Sequence, residues 1–155
     1  MSQYAATITW HRDDQAFLDN KYSRGHTWEF DGQVTVPASS SPHVVPLPMS
    51  VERAVDPEEA FVAAISSCHM LWFLSLAAKR KLIVDSYRDE AIGVMEKNAD
   101  GQLAVTRVTL RPKVVFAAET PATNDLLTHL HHQSHELCFI ANSVKTIITV
   151  QPSES

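Results

Sequence analysis

The chain is poor in cysteine and has no block of one charge. Only Cys68 and Cys138 carry thiols among its 155 residues. The formal net charge is −5, with no cluster of Lys and Arg. That argues against a nucleic-acid partner, because neutralising phosphates takes a basic surface. Met1-Ser2-Gln3-Tyr4 is not a basic flank followed by an apolar stretch, so no signal peptide is expected. The longest apolar segment is broken by Ser66, Ser67, His69 and Ser75, which makes it a poor membrane span. No internal repeat or low-complexity tract is visible. With 45% hydrophobic and 20% charged residues the composition is that of an ordinary globular protein. One domain over residues 1–155 and a cytoplasmic location are expected. In that compartment a permanent structural disulfide is disfavoured, whereas a transient catalytic one is allowed.

What is present reads as an α+β pattern. Tyr4, Ala6, Ile8 and Trp10 alternate with smaller and polar residues, the period of a strand. Residues 27–30 and 33–36 flank Asp31-Gly32, which predicts a hairpin with a type I′ turn. Four prolines between Pro37 and Asp56 mark a long ordered surface loop. Asp56-Pro57-Glu58-Glu59 then opens a helix: a capping side chain, a proline at the first helical position, and two carboxylates on the positive helix end. The helix is expected to reach about Lys81. It is apolar on nearly all sides, so it must be covered on all sides, and a second subunit is the expected cover. Strands are predicted near 83–87, 92–97 and 103–116, a second helix from Thr120-Pro121 to about His135, and a closing strand at 144–150. The order is β-β-β-α-β-β-β-α-β.

Each cysteine lies in an apolar segment, Ala64-Ile65-Ser66-Ser67-Cys68-His69 and His135-Glu136-Leu137-Cys138-Phe139-Ile140-Ala141-Asn142-Ser143. Taken alone, such cysteines are usually inert core residues. The flanks change that reading. Asp56-Pro57-Glu58-Glu59-Ala60-Phe61 and the Cys68 segment together resemble the Asn-Pro-Glu-Glu run that leads to the first cysteine of the OsmC/Ohr family. The Cys138 segment resembles that family's second-cysteine segment. Tyr22-Ser23-Arg24-Gly25-His26-Thr27-Trp28-Glu29-Phe30-Asp31-Gly32 resembles its N-terminal arginine loop and hairpin. Asp56 stands in place of Asn, Gln33 in place of a second Gly, and the Pro-rich loop differs from the organic-hydroperoxide-resistance branch.

The resemblance implies an OsmC-like fold, with antiparallel sheets around a central buried helix in an intertwined homodimer. It also implies a peroxidase that reduces organic hydroperoxides with a cysteine pair. Cys68 would be the attacking thiolate and Cys138 the thiol that resolves it to a disulfide. A free thiol is mostly protonated at neutral pH and burial protonates it further, so a cation must help. Arg24 is the candidate for stabilising the thiolate and polarising the peroxide, with Arg12 competing for that role. Glu58, rather than Glu59, would hold the Arg24 guanidinium in a bidentate pair. Cys68 lies ten residues after Glu58, about 15 Å along an ideal helix, so the two cannot touch on one straight helix. No metal, flavin or haem is implied. The expected partners are a second copy of the chain, an organic hydroperoxide and an external dithiol reductant, for which the resemblance offers a lipoylated protein.

Two rival readings use the same residues. His131, His135 and Cys138 fall at i, i+4 and i+7, so one helical face could hold a transition metal. Against that, Cys138 is expected beyond the helix end, and the histidines equally suit a polar face. Alternatively, Trp28, Phe30, Phe61, Met70, Trp72 and Phe139 could line an apolar-ligand pocket, with the thiols incidental. His69, next to the first cysteine, is expected to be a packed or interface histidine.

Overall fold

The computed structural model describes residues 1–152. These divide into two compact units, Met1–Ala60 and the chain from Phe61 onward.

In the first unit β1 (Ala6–Thr9), β2 (His26–Phe30) and β3 (Thr35–Ala38) form an antiparallel sheet in that order. Ile8 faces Trp28, which faces Val36. The hairpin is present, but its turn is not type I′. Phe30 N–H donates to Val34 O and Gln33 N–H to Phe30 O, both at 3.0 Å. Only Gln33 has a left-handed φ, 61°. The loop is therefore three residues long and ends in a left-handed residue. Gly32 needs no special backbone there, and a Cβ on it would touch nothing within 4 Å.

The Pro-rich stretch is an ordered loop, as expected. Ser39 N–H donates to Val55 O and Val55 N–H to Pro37 O, both at 3.0 Å. Buried Ser39 accepts Val51 N–H through Oγ at 2.9 Å. The loop ends in a capping box. Glu59 N–H donates to Asp56 Oδ1 at 2.7 Å, and Asp56 N–H returns to Glu59 Oε2 at 3.3 Å.

That box starts α1 (Pro57–Lys79), whose body belongs to the second unit. Ile65, His69, Phe73 and Ala77 form its buried stripe at i, i+4 spacing. The other faces are apolar yet open, with Leu71 60% exposed. By length and composition alone α1 could cross a bilayer, but its buried stripe is covered by protein. The helix ends as Leu82 N–H donates to Ala77 O and Lys81 N–H to Ala78 O, with Lys81 at φ 60°. This is a Schellman ending with lysine where glycine is usual.

The strands that follow are β4 (Val84–Asp89), β5 (Ile92–Lys97), β6 (Leu103–Leu110) and β7 (Pro112–Phe116). The single strand expected over 103–116 is thus two strands in two sheets. β7 pairs with β4, while β6 pairs with β5. Proline has no N–H to continue a ladder, so the chain turns at Arg111-Pro112. Asp89 pins that corner: Oδ1 accepts Arg111 N–H at 2.6 Å and Oδ2 accepts the Ser66 hydroxyl at 2.5 Å. α2 (Asn124–Leu137) starts later than predicted because Thr123 caps it, through Leu126 N–H at 3.3 Å. A short 3-10 turn, Ala141–Ser143, leads to β8 (Ile147–Val150), which runs parallel to β6.

Two apolar clusters fill this unit. Phe73, Ala77, Val114 and Leu130 join α1, β7 and α2. Ile65, Val108 and Leu110 join α1 to β6. Toward its start, α1 therefore packs on a sheet. Toward its end it packs along α2, and the thiols lie where that seam closes.

Candidate redox site

Cys68 sits mid-way along α1, and Cys138 caps the C-terminus of α2. The fold brings these thiols together across 70 residues of sequence. Both are free. Cys138 is buried, its sulfur accepting Ala141 N–H at 3.4 Å, whereas Cys68 is half-buried. Burial pushes the Cys138 thiol up to about 11, and its hydrogen bond to Cys68 adds to the rise. The raised value keeps the proton on Cys138 at neutral pH, beside the Cys68 sulfur. The arrangement is asymmetric: a buried proton-bearing thiol facing a more accessible one. It suits attack by the accessible sulfur and later condensation with the buried one. An apolar rim adjoins the pair, where Trp72 meets Phe139 edge-on with ring centres 5.4 Å apart.

The histidines are placed in a way the sequence did not disclose. His69 turns into the core and meets His131, Nε2 to Nδ1, at 3.0 Å. Burial drives both to about 4, and for His69 the neighbouring His131 and His135 add to the fall. His131 therefore serves His69 and not a metal face. Among the described residues no three His, Cys, Asp or Glu side chains are placed to hold a metal ion.

Arg24 and Glu58 belong to the first unit. The Arg24 guanidinium donates to Asn20 O at 3.1 Å, to Asn20 Oδ1 at 2.7 Å, and to the Tyr22 carbonyl. It also lies over the Tyr22 ring, 3.8 Å from its centre. Tyr22 in turn stacks on Phe17 and meets Trp10 edge-on. The expected Arg24–Glu58 ion pair is not formed here, because the loop's own carbonyls and ring occupy the guanidinium. Glu58 keeps one buried carboxylate oxygen, Oε2, without a partner. Arg12 is bound to its own loop through Gln15 O at 2.7 Å.

A family model described as OsmC-like protein matches residues 50–153. The chain belongs to the OsmC family. The match takes in Glu58, Cys68 and Cys138 and leaves out Arg24. The OsmC-like fold is plain from solved structures. An OsmC-like protein of unknown function from Vibrio cholerae is 56% identical, covers 99% of this chain and 100% of its own, and superposes with a TM-score of 0.97. An organic hydroperoxide resistance protein from Elizabethkingia anophelis is 15% identical over 98% of this chain and 94% of its own, with a TM-score of 0.72. That of Bacillus subtilis is 14% identical over 98% of both chains, at 0.66. At such identities these two share the fold alone. No curated protein matches the chain in sequence.

Within this OsmC-like frame, sequence reasoning missed Asp89, which ties α1 to the β6–β7 corner and which nothing in its local pattern marks. His69 is packed, as expected, but its pairing with His131 was missed; a histidine on a core stripe needs a polar partner, and that requirement could have prompted the search.

Proposed function

We propose that this OsmC-like protein is a thiol-dependent peroxidase that reduces organic hydroperoxides to alcohols. The pairing of Cys68 with a proton-bearing Cys138 is the observation that carries this reading. The Cys68 thiolate attacks one peroxide oxygen and the O–O bond breaks. The alkoxide leaves as the alcohol after taking up a proton, and Cys68 becomes a sulfenic acid. The Cys138 sulfur then attacks Cys68. Its proton leaves with the displaced hydroxide as water, and a disulfide remains. An external dithiol restores both thiols, and no cofactor takes part.

Arg24 is the proposed cation for the Cys68 thiolate and the peroxide, and Glu58 its proposed anchor. Those roles require Arg24 to exchange its present bonds to Asn20 and Tyr22. The unpartnered Glu58 oxygen supports such an exchange, because an unpaired buried oxygen is costly. A homodimer is proposed to cover the open apolar faces of α1, with both units of each chain working as one domain in the cytoplasm. The apolar rim of Trp72 and Phe139, and relatives described as organic hydroperoxide resistance proteins, favour an alkyl hydroperoxide over hydrogen peroxide.

The test is one equivalent of cumene hydroperoxide on the reduced protein, an alkylating quench, and mass-spectrometric mapping of the thiols. A Cys68–Cys138 disulfide is expected in the wild type. It should be absent in Cys68→Ser and replaced by over-oxidised Cys68 in Cys138→Ser. Two thiols left unreacted in the wild type would overturn the reading.

A further inference from the structure

Across the α1–α2 seam the chain makes two side-chain pairings at neighbouring positions. Cys68 meets Cys138, and the next residue, His69, meets His131. The geometry of the histidine pair is restrictive. The rings are parallel to within 9° and their centres lie 5.3 Å apart, yet the facing nitrogens are 3.0 Å apart. The nitrogens are closer than the centres by about the full reach of two imidazole radii. Both must therefore lie on the line between the centres, so the rings meet edge to edge in one plane. That is a nearly straight hydrogen bond of ordinary length, and such a bond is directional. The face of His131 is closed by Phe73, with ring centres 4.5 Å apart. Tyr87 and His135 complete the polar surroundings, and Asp89 faces Tyr87.

The pair is expensive as packing. His69 Nδ1 and His131 Nε2, its outer nitrogens, are buried without partners, as are Tyr87 Oη and His135 Nδ1. Two apolar side chains would bury more cheaply. What the histidines add is direction. Apolar packing tolerates several registers of one helix on another, whereas this bond tolerates one. We infer that His69 and His131 are a positioning pair for the Cys68–Cys138 couple: their hydrogen bond fixes α1 on α2 in the register where the two sulfurs meet. The inference rests on the peroxidase reading above. Holding the thiols together in the reduced state raises their effective concentration and so favours the disulfide over the dithiol. The same register speeds resolution of the sulfenic acid and limits its further oxidation.

The experiment equilibrates the protein in glutathione redox buffers and quantifies the Cys68–Cys138 disulfide. His131→Leu and His69→Leu remove the bond. His131→Asn and His69→Gln keep it, because their amides sit where Nδ1 and Nε2 were. The breaking variants should shift the equilibrium about tenfold toward the dithiol, about 30 mV, and leave more over-oxidised Cys68 after peroxide. The retaining variants should stay within about threefold of the wild type. Breaking variants that match the wild type, or retaining variants that shift as far as breaking ones, overturn the inference. A wild type that forms no disulfide overturns the peroxidase reading instead.

Discussion

Acid should destabilise this protein through two histidines. His69 and His131 titrate near 4 in the folded chain, against 6.5 for an ordinary histidine. Between those values the unfolded chain binds protons that the folded chain refuses. Stability therefore rises with pH in that window: it is fully present above about 6.5 and is lost as the pH falls toward 4. Each pKa unit is worth about 1.36 kcal/mol, so one histidine forfeits roughly 2–3 kcal/mol by pH 4.5, and the pair at most about twice that. A domain of ordinary stability, about 5–15 kcal/mol, loses a large share of it over that range. The assay is urea unfolding followed by circular dichroism at pH 7, 6, 5 and 4.5, in the wild type and in the double variant His69→Gln/His131→Asn. The double variant keeps an amide bond in place of the imidazole bond and cannot titrate there. Carboxylates contribute equally to both proteins and cancel in the comparison. The wild type should lose about 2 kcal/mol or more beyond the loss of the double variant between pH 7 and 4.5. Equal losses would refute the assignment of the acid sensitivity to this pair.

Two further predictions concern the frame around the site. In Gly93→Ala the new Cβ would lie 2.6 Å from Val62 Cγ2 and 3.3 Å from Val105 Cγ1. β5 or α1 must move, and thermal unfolding should show a loss of about 1–3 kcal/mol; an unchanged melting temperature would mean that α1 packs on β5 more loosely than these contacts imply. Gln33→Gly should stabilise the hairpin by about 0.5 kcal/mol, because removing a left-handed Cβ gains about 1–2 kcal/mol while glycine gives back about 0.5–1 in chain entropy. A lower melting temperature would count against that accounting.

The features legible in the sequence were those written locally. The capping box at Asp56–Glu59, the alternation of β1, the hairpin of β2 and β3, and the apolar run of α1 are each set by neighbours a few residues apart. So are the cysteine segments, whose flanks carried the family resemblance. Local reading failed where neighbouring conformations or partners compete, and where the partner is remote. Asp31-Gly32 suggested a type I′ turn, but the strands close one residue later and put the left-handed conformation on Gln33. Residues 103–116 are uniformly strand-like, yet Pro112 divides them between sheets that only the tertiary fold defines. Arg24 looked free to pair with Glu58, although the Tyr22 carbonyl and Asn20, two and four residues away, already hold it.

The histidines mark that limit most sharply, and they show why it matters for function. His129, His131, His132 and His135 crowd one helix, and their spacing alone suggests either a solvated face or a metal face. In the fold they do not act alike. His132 reaches the exposed Glu136 at 3.3 Å, whereas His131 turns inward to a residue 62 positions away. What separates them is burial, which depends on where α1 lies rather than on α2 itself. The same holds for the thiols. Cys138 differs from an inert core cysteine only because α1 brings Cys68 against it. Both pairings belong to one seam and engage adjacent residues of α1, so neither can slip along it without the other. The chemistry assigned to the cysteines is thus a property of how α1 is seated. A substitution that removes the His69–His131 bond should therefore reach the disulfide equilibrium, although neither histidine touches the reacting sulfurs in the proposed reaction.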